Sequence, residues 1–483
     1  MELVIICEEY TAMVSGMHLW DFEVWSFMIE FAVLLAGMII ANMFRRMIKP
    51  LRHSLIPSSV IGGFLVLGVV SVLRNFGIQV FQVFTLETLT YHGLGLGFVA
   101  LALKTEERRK SKEANTDVFN TGITVVSSYL MFGVIGLSIT LGLSYVIGTW
   151  PAAGMLLAMG YGQGPGQAFN WGNIYQNATD YPPFYGGISF GLAIAAMGFV
   201  ASGIGGVIYL NIMKAKGRIK IPDHNSDEAE DEVEYVKVKN EIALTESLDK
   251  MTVQIGLVVL TYVFAFALMY FASLGLRQMG GMAAGTVMPM IWGFNFLIGT
   301  LCAILLKAVL NFCRQKGVVR REYRNNFMLN RIAGFMFDLM VVASIAAIDL
   351  SAFRERAFWI PLVLLCVAGA VATYFQIKVI SRKIFPKYSD ESFLALYGMQ
   401  TGTVSTGIIL LREIDPKFET PAAKNLVYQQ LWAIVFGFPM LLLMGIAPQN
   451  ITMTWIVLGI LIVLFVAMTV LLFRKFIFKR KRL

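Results

Sequence analysis

The chain has 483 residues, of which 57% are hydrophobic and only 15% are charged, and its mean hydropathy is +0.67. Soluble globular domains carry about 25% charged residues, so this composition argues against an ordinary soluble protein. The net charge of +9 would suit nucleic-acid binding, but its placement along the chain, described below, argues against that class. Four scattered cysteines with no metal-binding spacing also argue against a disulfide framework.

Apolar blocks of about 20 residues, the length that crosses the hydrocarbon of a bilayer, recur along the chain. After an N-terminal segment at 1–23, they predict an all-α polytopic membrane protein with eleven spans. The predicted spans lie near 24–44, 57–73, 88–103, 118–147, 184–212, 251–276, 286–310, 326–350, 358–380, 426–447 and 452–473.

The basic residues predict the orientation of these spans. Lysine and arginine cluster after every odd-numbered span, for example at 45–52, 104–112 and 314–324, and the last span is followed by the tail RKFIFKRKRL. Cytoplasmic loops carry such an excess. We therefore expect the N-terminus outside and the C-terminus inside, and a basic balance that reflects the topology of the chain in the lipid bilayer rather than binding of nucleic acid.

The long acidic stretch at 213–250 is predicted to be a cytoplasmic linker between two membrane halves, at 24–212 and 251–447. Each half has five spans. Because five is odd, the second half enters the membrane opposite to the first, as in the inverted repeats of many secondary transporters. The remainder, 448–483, is predicted to hold one extra helix and the basic tail.

Two segments are too short to span the membrane as helices and too apolar for ordinary loops. They are 152–172 (AAGMLLAMGYGQGPGQAFNWG) and 392–412 (SFLALYGMQTGTVSTGIILLR). In the first, glycine alternates with other residues up to Pro165, a pattern that disfavours regular helix. Each segment falls between the fourth and fifth spans of its half, so each is predicted to be a re-entrant hairpin. The alternative is that their glycines merely allow tight helix crossings, which is how we interpret the pairs Gly93/Gly97 and Gly187/Gly191.

The tips of the two segments are the predicted functional site. Half-helices that end inside a membrane offer N–H groups to an anion, while carbonyl and hydroxyl oxygens suit a hard cation such as sodium. The predicted substrate-binding residues are Gln163, Gly164, Gly166, Gln167, Gln400, Thr401, Gly402 and Thr403. The candidate sodium ligands are Ser405, Thr406 and Asp338.

Three stretches together carry a resemblance to a known family. The pattern IPSSVIGG (56–63), then GMLLAMGYGQGPGQAFNWG, then LALYGMQTGTVSTG resembles the bacterial sodium/glutamate symporter family, over roughly residues 24–447. The resemblance implies sodium-coupled uptake of glutamate or a related dicarboxylate, a bacterial plasma (inner) membrane location, and a homodimer with an elevator-like movement. The family's first hairpin carries a glycine-glycine-histidine-glycine run, whereas this chain reads GQGPG at 162–166.

Polar groups inside the spans have two interpretations each. Asp338, in the middle of the eighth span, is either a functional group such as a sodium ligand or the partner of Arg331. Asn295 in the seventh span is either a ligand or a helix-to-helix hydrogen bond, and the latter is favoured. Glu30 is expected to reach the outer interface.

The leading functional hypothesis is a sodium-coupled secondary transporter of a small anionic solute. A proton-coupled transporter or a channel would use the same broken helices. A receptor or regulator acting through the 213–250 linker is the alternative from another class. No Walker motif or nucleophile elbow is present, so we predict no enzyme activity and no cofactor other than the coupling ion.

Overall fold

The computed structural model describes residues 19–78, 80–105, 112–217, 249–281, 283–317 and 323–477, and within these ranges it contains helices and no strand. The predicted N-terminal segment, most of the 213–250 linker and the last residues of the basic tail lie outside the described residues.

Nineteen α-helices are described, in two groups that flank the linker. The first group is α1 (Phe22–Met47), α2 (Lys49–His53), α3 (Ser58–Asn75), α4 (Val83–Leu103), α5 (Lys112–Ile147), α6 (Leu156–Gln163), α7 (Pro165–Gln176) and α8 (Gly187–Ala215). The second is α9 (Lys250–Met279), α10 (Met288–Gly293), α11 (Asn295–Gln315), α12 (Asn326–Ala346), α13 (Arg356–Ile384), α14 (Ser389–Thr401), α15 (Val404–Arg412), α16 (Ala422–Tyr428), α17 (Gln430–Ile446), α18 (Ile451–Leu472) and α19 (Arg474–Ile477).

Eleven of these helices are long and apolar enough to cross a membrane, which confirms the predicted number and an all-α, multi-pass membrane protein. They are α1, α3, α4, α5, α8, α9, α11, α12, α13, α17 and α18. Several begin at polar caps. The side chains of Asp249, Asn325 and Asn450 each accept a hydrogen bond from a backbone N–H in the first turn of α9, α12 and α18, where such groups have no partner within the helix.

The seventh span differs from its prediction as one helix over 286–310. The structure has a π-helical turn at Ala283–Val287, then α10, and a break at Phe294 before α11. Pro289 lacks a backbone donor and Gly293 lacks a side chain, and both weaken a continuous helix. The carbonyls of Trp292 and Gly293 at the break accept side-chain hydrogen bonds from α4 and α7 instead.

Small residues bring the long helices into close contact. A methyl group at Gly93 of α4 would lie 3.0 Å from the carbonyl oxygen of Met336 on α12, and Gly97 faces the Phe337 ring. The glycines of the second pair, at 187 and 191, lie equally close to the backbone of α7. Both predicted pairs are therefore packing faces.

The environment of Glu30 differs from the predicted one. Its side chain is buried rather than exposed at an interface, and one carboxylate oxygen accepts a hydrogen bond of 2.8 Å from the backbone N–H of Gln82, the residue that caps α4. The helix end supplies a donor that the sequence alone does not place beside Glu30.

The eleventh long helix, α18, packs along α5 of the same chain. A methyl group at Gly133 would lie 3.0 Å from Leu461, and the Trp455 indole donates a hydrogen bond of 3.2 Å to the Tyr145 hydroxyl. The extra helix therefore covers one side of the first group rather than standing apart.

Candidate functional site

The first broken segment, defined as residues 150–176, doubles back at Gly164. Helix α6 ends at Gln163, Gly164 has φ +81° and ψ −173°, and α7 begins at Pro165. The two ends of the segment lie side by side, because the rings of Trp150 and Tyr175 are 4.9 Å apart. A positive φ favours glycine, and proline is tolerated in the first turn of a helix.

The break in this segment is narrower than its glycine content predicts. Gly160 and Gly162 are helical, and only Gly164 leaves the helix. Methyl groups at Gly160 and Gly162 would lie 2.6 Å from Ile194 and 2.5 Å from the Tyr129 ring. Tight packing against α8 and α5 thus stabilises helix where local propensity opposes it.

The second broken segment, defined as residues 388–412, doubles back at Gly402 and Thr403. Helix α14 ends at Thr401 and α15 begins at Val404. Where the two helices pack against each other, a methyl group at Gly398 would lie 2.7 Å from Cα of Gly407. The glycines on either side of this tip therefore allow close contact between the two helices of the segment.

The tips of the two broken segments touch each other. A methyl group at Gly164 would lie 3.1 Å from Cγ2 of Thr403 and 3.6 Å from the carbonyl oxygen of Gly402. Gly164 and Thr403 are the N-cap residues of α7 and α15, and neither helix has a side-chain cap. Two helix N-termini without side-chain caps thus converge, together with the C-termini of α6 and α14, and the first N–H groups of α7 and α15 have no partner within their own helix.

The predicted substrate-binding residues fall into three environments. Gln163 is half-buried beside the break, whereas Gln167, Gln400 and Thr401 are fully buried. Gly166 packs against Leu94 of α4 and Met340 of α12, where a methyl group would lie 2.7 Å and 2.8 Å from their side chains.

The candidate cation ligands are only partly brought together. The hydroxyl oxygens of Thr403 and Thr406 lie 3.3 Å apart, and Thr406 is fully buried. Ser405, on the same first turn of α15, is exposed. A pair of hydroxyl oxygens therefore lies at the second tip itself.

Asp338 is on α12, which packs mainly on α3 and α4. Met340 on the same helix packs against Gly166. Asp338 is two residues before Met340, which is about 200° around the helix, so the two side chains leave the helix on opposite faces. Asp338 is exposed, and the Ser59 side chain on α3 is close enough to interact with its carboxylate. Arg331, its alternative predicted partner, stacks on Phe327 at 5.3 Å.

Several buried polar atoms in the broken segments have no hydrogen-bond partner. Both amide atoms of Gln400, the oxygens of Gln167 and Asn170, and the indole nitrogen of Trp171 are in this position. Burying an amide without a partner costs about 1–3 kcal/mol in proteins, so such atoms are common where a ligand or water binds.

A cavity of about 660 Å³ lies beside the first broken segment, between α4, α7 and residues 284–293. Its wall includes Glu87, Tyr91, His92, Asn170 and Asn173. Asn170 donates a hydrogen bond of 2.8 Å to the Gly293 carbonyl, and the Tyr91 hydroxyl donates one of 2.8 Å to the Trp292 carbonyl.

Sequence reasoning missed Tyr91 and Asn170 as members of this wall. The break at Phe294, which creates the carbonyls that they bind, has only Pro289 and Gly293 as a signal. Asn295 fulfils its favoured prediction as a helix-to-helix hydrogen bond, because its side chain donates to the Tyr91 carbonyl and the Tyr262 hydroxyl at 3.1 and 3.0 Å.

Among the described residues, no group of three or more His, Cys, Asp or Glu side chains is placed to hold a metal ion. A sodium ion would instead use hydroxyl, amide and carbonyl oxygens, which hard cations prefer.

Comparison of the chain with models of known protein families gives no match. Comparison with curated proteins gives no match either.

Proposed function

We propose that the chain is a sodium-coupled symporter that imports a small anionic solute, glutamate or a related dicarboxylate, by alternating access. The observation that carries the proposal is the contact between Gly164 and Thr403, the N-cap residues of α7 and α15. The substrate-binding residues of the proposal all lie within three residues of Gly164 or Thr403 along the chain.

An anion is the ligand that two converging N-termini favour. Each helix N-terminus carries about half a positive charge, and the first turn offers N–H groups that lack partners within the helix. Two such ends without side-chain caps repel each other until an anion lies between them. A dicarboxylate has two negative groups for two such ends.

The same place also offers oxygen ligands for a cation. The C-termini of α6 and α14 reach the same place, where their carbonyl oxygens and the hydroxyls of Thr403 and Thr406 form a set of neutral oxygen ligands. Neutral oxygens of this kind coordinate sodium in transporters with broken helices. Binding both ions together is the basis that we propose for coupling.

The packing of the two groups of helices supports the proposal of two inverted repeats. Helix α1 packs on α3 as α9 packs on α11, and α3 packs on α12 as α11 packs on α4. Each group also breaks before its second long helix, at residues 54–57 and at Phe294. Corresponding spans thus make corresponding contacts, and each broken segment follows the fourth span of its group.

Uptake into proteoliposomes tests the proposal. Purified protein is reconstituted, and labelled glutamate, aspartate and amine-free dicarboxylates are offered with an inward sodium gradient, with an equal sodium concentration on both sides, or with a proton gradient. We expect saturable accumulation of at least one of these anions under the sodium gradient alone.

Each other outcome contradicts a defined part of the proposal. Accumulation under the proton gradient alone would replace sodium as the coupling ion. Flux that is indifferent to both gradients and does not saturate would indicate a channel. No flux of any of these anions would reject import of an anionic solute.

A further inference from the structure

The carbonyl oxygen of Gly293 fixes the orientation of two amide side chains on α7. It accepts hydrogen bonds from Nε2 of Gln167 at 3.3 Å and from Nδ2 of Asn170 at 2.8 Å. A carbonyl oxygen only accepts, so the nitrogen of each amide must face it. The amide oxygens therefore point away from the Gly293 carbonyl, which the break at Phe294 makes available.

Both of these amide oxygens are buried and lack a donor. Gln167 is 1% exposed and Asn170 is 3% exposed, and neither Oε1 nor Oδ1 has a hydrogen-bond partner. The residues are three apart on α7 and thus share a face of the helix. The oxygen and nitrogen of an amide are about 2.3 Å apart, so both oxygens lie within about 6 Å of the Gly293 oxygen.

The neighbouring cavity has an acidic side chain in its wall and no side chain that is permanently positive among the described residues. Asn170 is part of its wall, and so is Glu87. Among the described residues that line it, no lysine or arginine is present. An acidic group in a cleft attracts cations, and unpaired amide oxygens give them a place to lose water.

We infer that Oε1 of Gln167 and Oδ1 of Asn170 form an acceptor site for a small monovalent cation, either sodium or the ammonium group of an amino-acid substrate, that enters through this cavity. The site is distinct from the hydroxyl pair at the second tip. It depends on the proposed function only for what the cation does during transport, since its occupancy is a property of the purified protein.

Direct binding measurements on purified full-length protein test the inference, with ²²Na⁺ and ¹⁴C-methylammonium as separate probes. The variants are Asn170→Leu and Gln167→Met, which remove the acceptor oxygens and keep similar volumes. The matched control is Asn173→Leu, the same substitution one turn further along α7 in the wall of the same cavity. Size-exclusion elution shows which variants remain folded, and two independent acceptor variants guard against the loss of one.

We expect wild type and Asn173→Leu to bind one of the two probes, and the acceptor variants to bind it about 10- to 100-fold more weakly, as expected for the loss of a hydrogen bond or ligand to a charged group. Loss of sodium binding identifies the site as a sodium site, and loss of methylammonium binding identifies it as an ammonium site. Equal affinities in all four proteins, equal weakening in Asn173→Leu, or no binding of either probe to wild type would overturn the inference.

Uptake measurements keep this result separate from the proposed function. Sodium-driven uptake by wild type with cation binding unchanged in the acceptor variants would leave the symporter proposal standing and remove this site. Cation binding that depends on Gln167 and Asn170, without any driven uptake, would support this site and reject the symporter proposal.

Discussion

At the scale of single residues, the tips depend on backbone conformation and on unpaired polar atoms. Gly164 has φ +81°, and a methyl group added there would lie 3.1 Å from Thr403. Gly402 has a negative φ, and a methyl group there would meet Thr406 and Phe199. Gln400 is fully buried with both amide atoms unpaired. Unpaired buried atoms lower the stability of the chain, and the proposed binding site gives them a role.

Substitution at Gly164 should disrupt transport without preventing insertion. The backbone of Gly164, with φ +81° and ψ −173°, lies in a region open essentially to glycine only, so another residue there costs about 1–3 kcal/mol. A branched side chain adds a clash with Thr403. Each 1.4 kcal/mol corresponds to about a tenfold change in rate, so we expect Gly164→Val to lower the uptake rate at least about tenfold. Gly402→Val should behave similarly, because its added carbon would lie 2.9 Å from Oγ1 of Thr406.

The matched control for both variants is Gly142→Val, since an added carbon at Gly142 of α5 meets nothing within 4 Å. Uptake per amount of inserted protein is the measurement. Wild-type rates in the tip variants would show that close backbone approach at the tips is irrelevant to transport.

Substitution at Gln400 should separate stability from function. Gln400→Met keeps the length of the side chain and removes two unpaired buried atoms, so we expect the free energy of unfolding to rise by about 1–3 kcal/mol. The thermal midpoint in detergent should increase while uptake falls. A lower midpoint would mean that Gln400 has structural partners, and unchanged uptake would exclude it from the substrate site.

At the scale of elements, each broken segment is a pair of short helices held by neighbours. Helix α8 contacts both: a methyl group at Gly160 would lie 2.6 Å from Ile194, and Gly198 faces the Thr401 carbonyl. Helix α18 is different, because it covers α5 from outside and is mostly exposed. The transport machinery that we propose therefore excludes α18.

Removal of α18 should leave that machinery intact. We expect a chain ending after Gln449 to insert and to transport within about threefold of the full-length rate, because lipid tails replace most of the apolar contacts of α18. Its thermal midpoint should fall, since the close contacts with Gly133 and Tyr145 are lost. Abolished uptake in a folded truncated protein would make α18 part of the transport unit.

The sequence predicts the long helices better than it predicts the breaks. Eleven apolar blocks match eleven helices because length and hydropathy are local properties. The break at Gly164 is also local, since glycine and proline adjoin. The helical state of Gly160 and the interruption at Phe294 depend instead on contacts with α8, α4 and α7, which no local pattern reports. Asn170 was not predicted for the same reason, because the carbonyl that it binds is exposed by the interruption at Phe294.

Part of the candidate site was predicted from the matching positions of two segments in the two halves of the chain. Matching glycine-rich segments in two halves indicated which residues to consider, and Gly164 and Thr403 do touch. Asp338 was selected for its charge in the middle of a span, and its helix packs mainly on α3 and α4, so its role as a sodium ligand stays a prediction. A charged residue in a span predicts that a partner is present, but the sequence does not predict which neighbouring helix carries that partner.

At the scale of the whole molecule, the distribution of basic residues gives a testable topology. If both broken segments are re-entrant, the residues before and after each segment lie on the same side of the membrane. The sites Val146 and Tyr185 flank the first segment, and Lys387 and Lys417 flank the second; all four are exposed.

Single cysteines at these four positions, in a chain whose native cysteines are replaced, should label in two classes. We expect Val146→Cys and Tyr185→Cys to react with a membrane-impermeant maleimide in intact cells, and Lys387→Cys and Lys417→Cys to react only after permeabilisation. Opposite accessibility of the two positions that flank one segment would show that the segment crosses the membrane.

The touching tips are the proposed binding site of the solute, and protection of a cysteine at the tips is the sharpest test of that proposal. Ser405→Cys adds a thiol at an exposed position one residue beyond the Thr403–Val404 junction, and Lys417→Cys is the control outside the site. With sodium and the transported anion at ten times its half-saturating concentration, we expect maleimide labelling of Ser405→Cys to slow about tenfold, as occupancy requires. Labelling of Lys417→Cys should not change. Equal labelling rates of Ser405→Cys with and without the anion, in a protein that still transports it, would contradict the account.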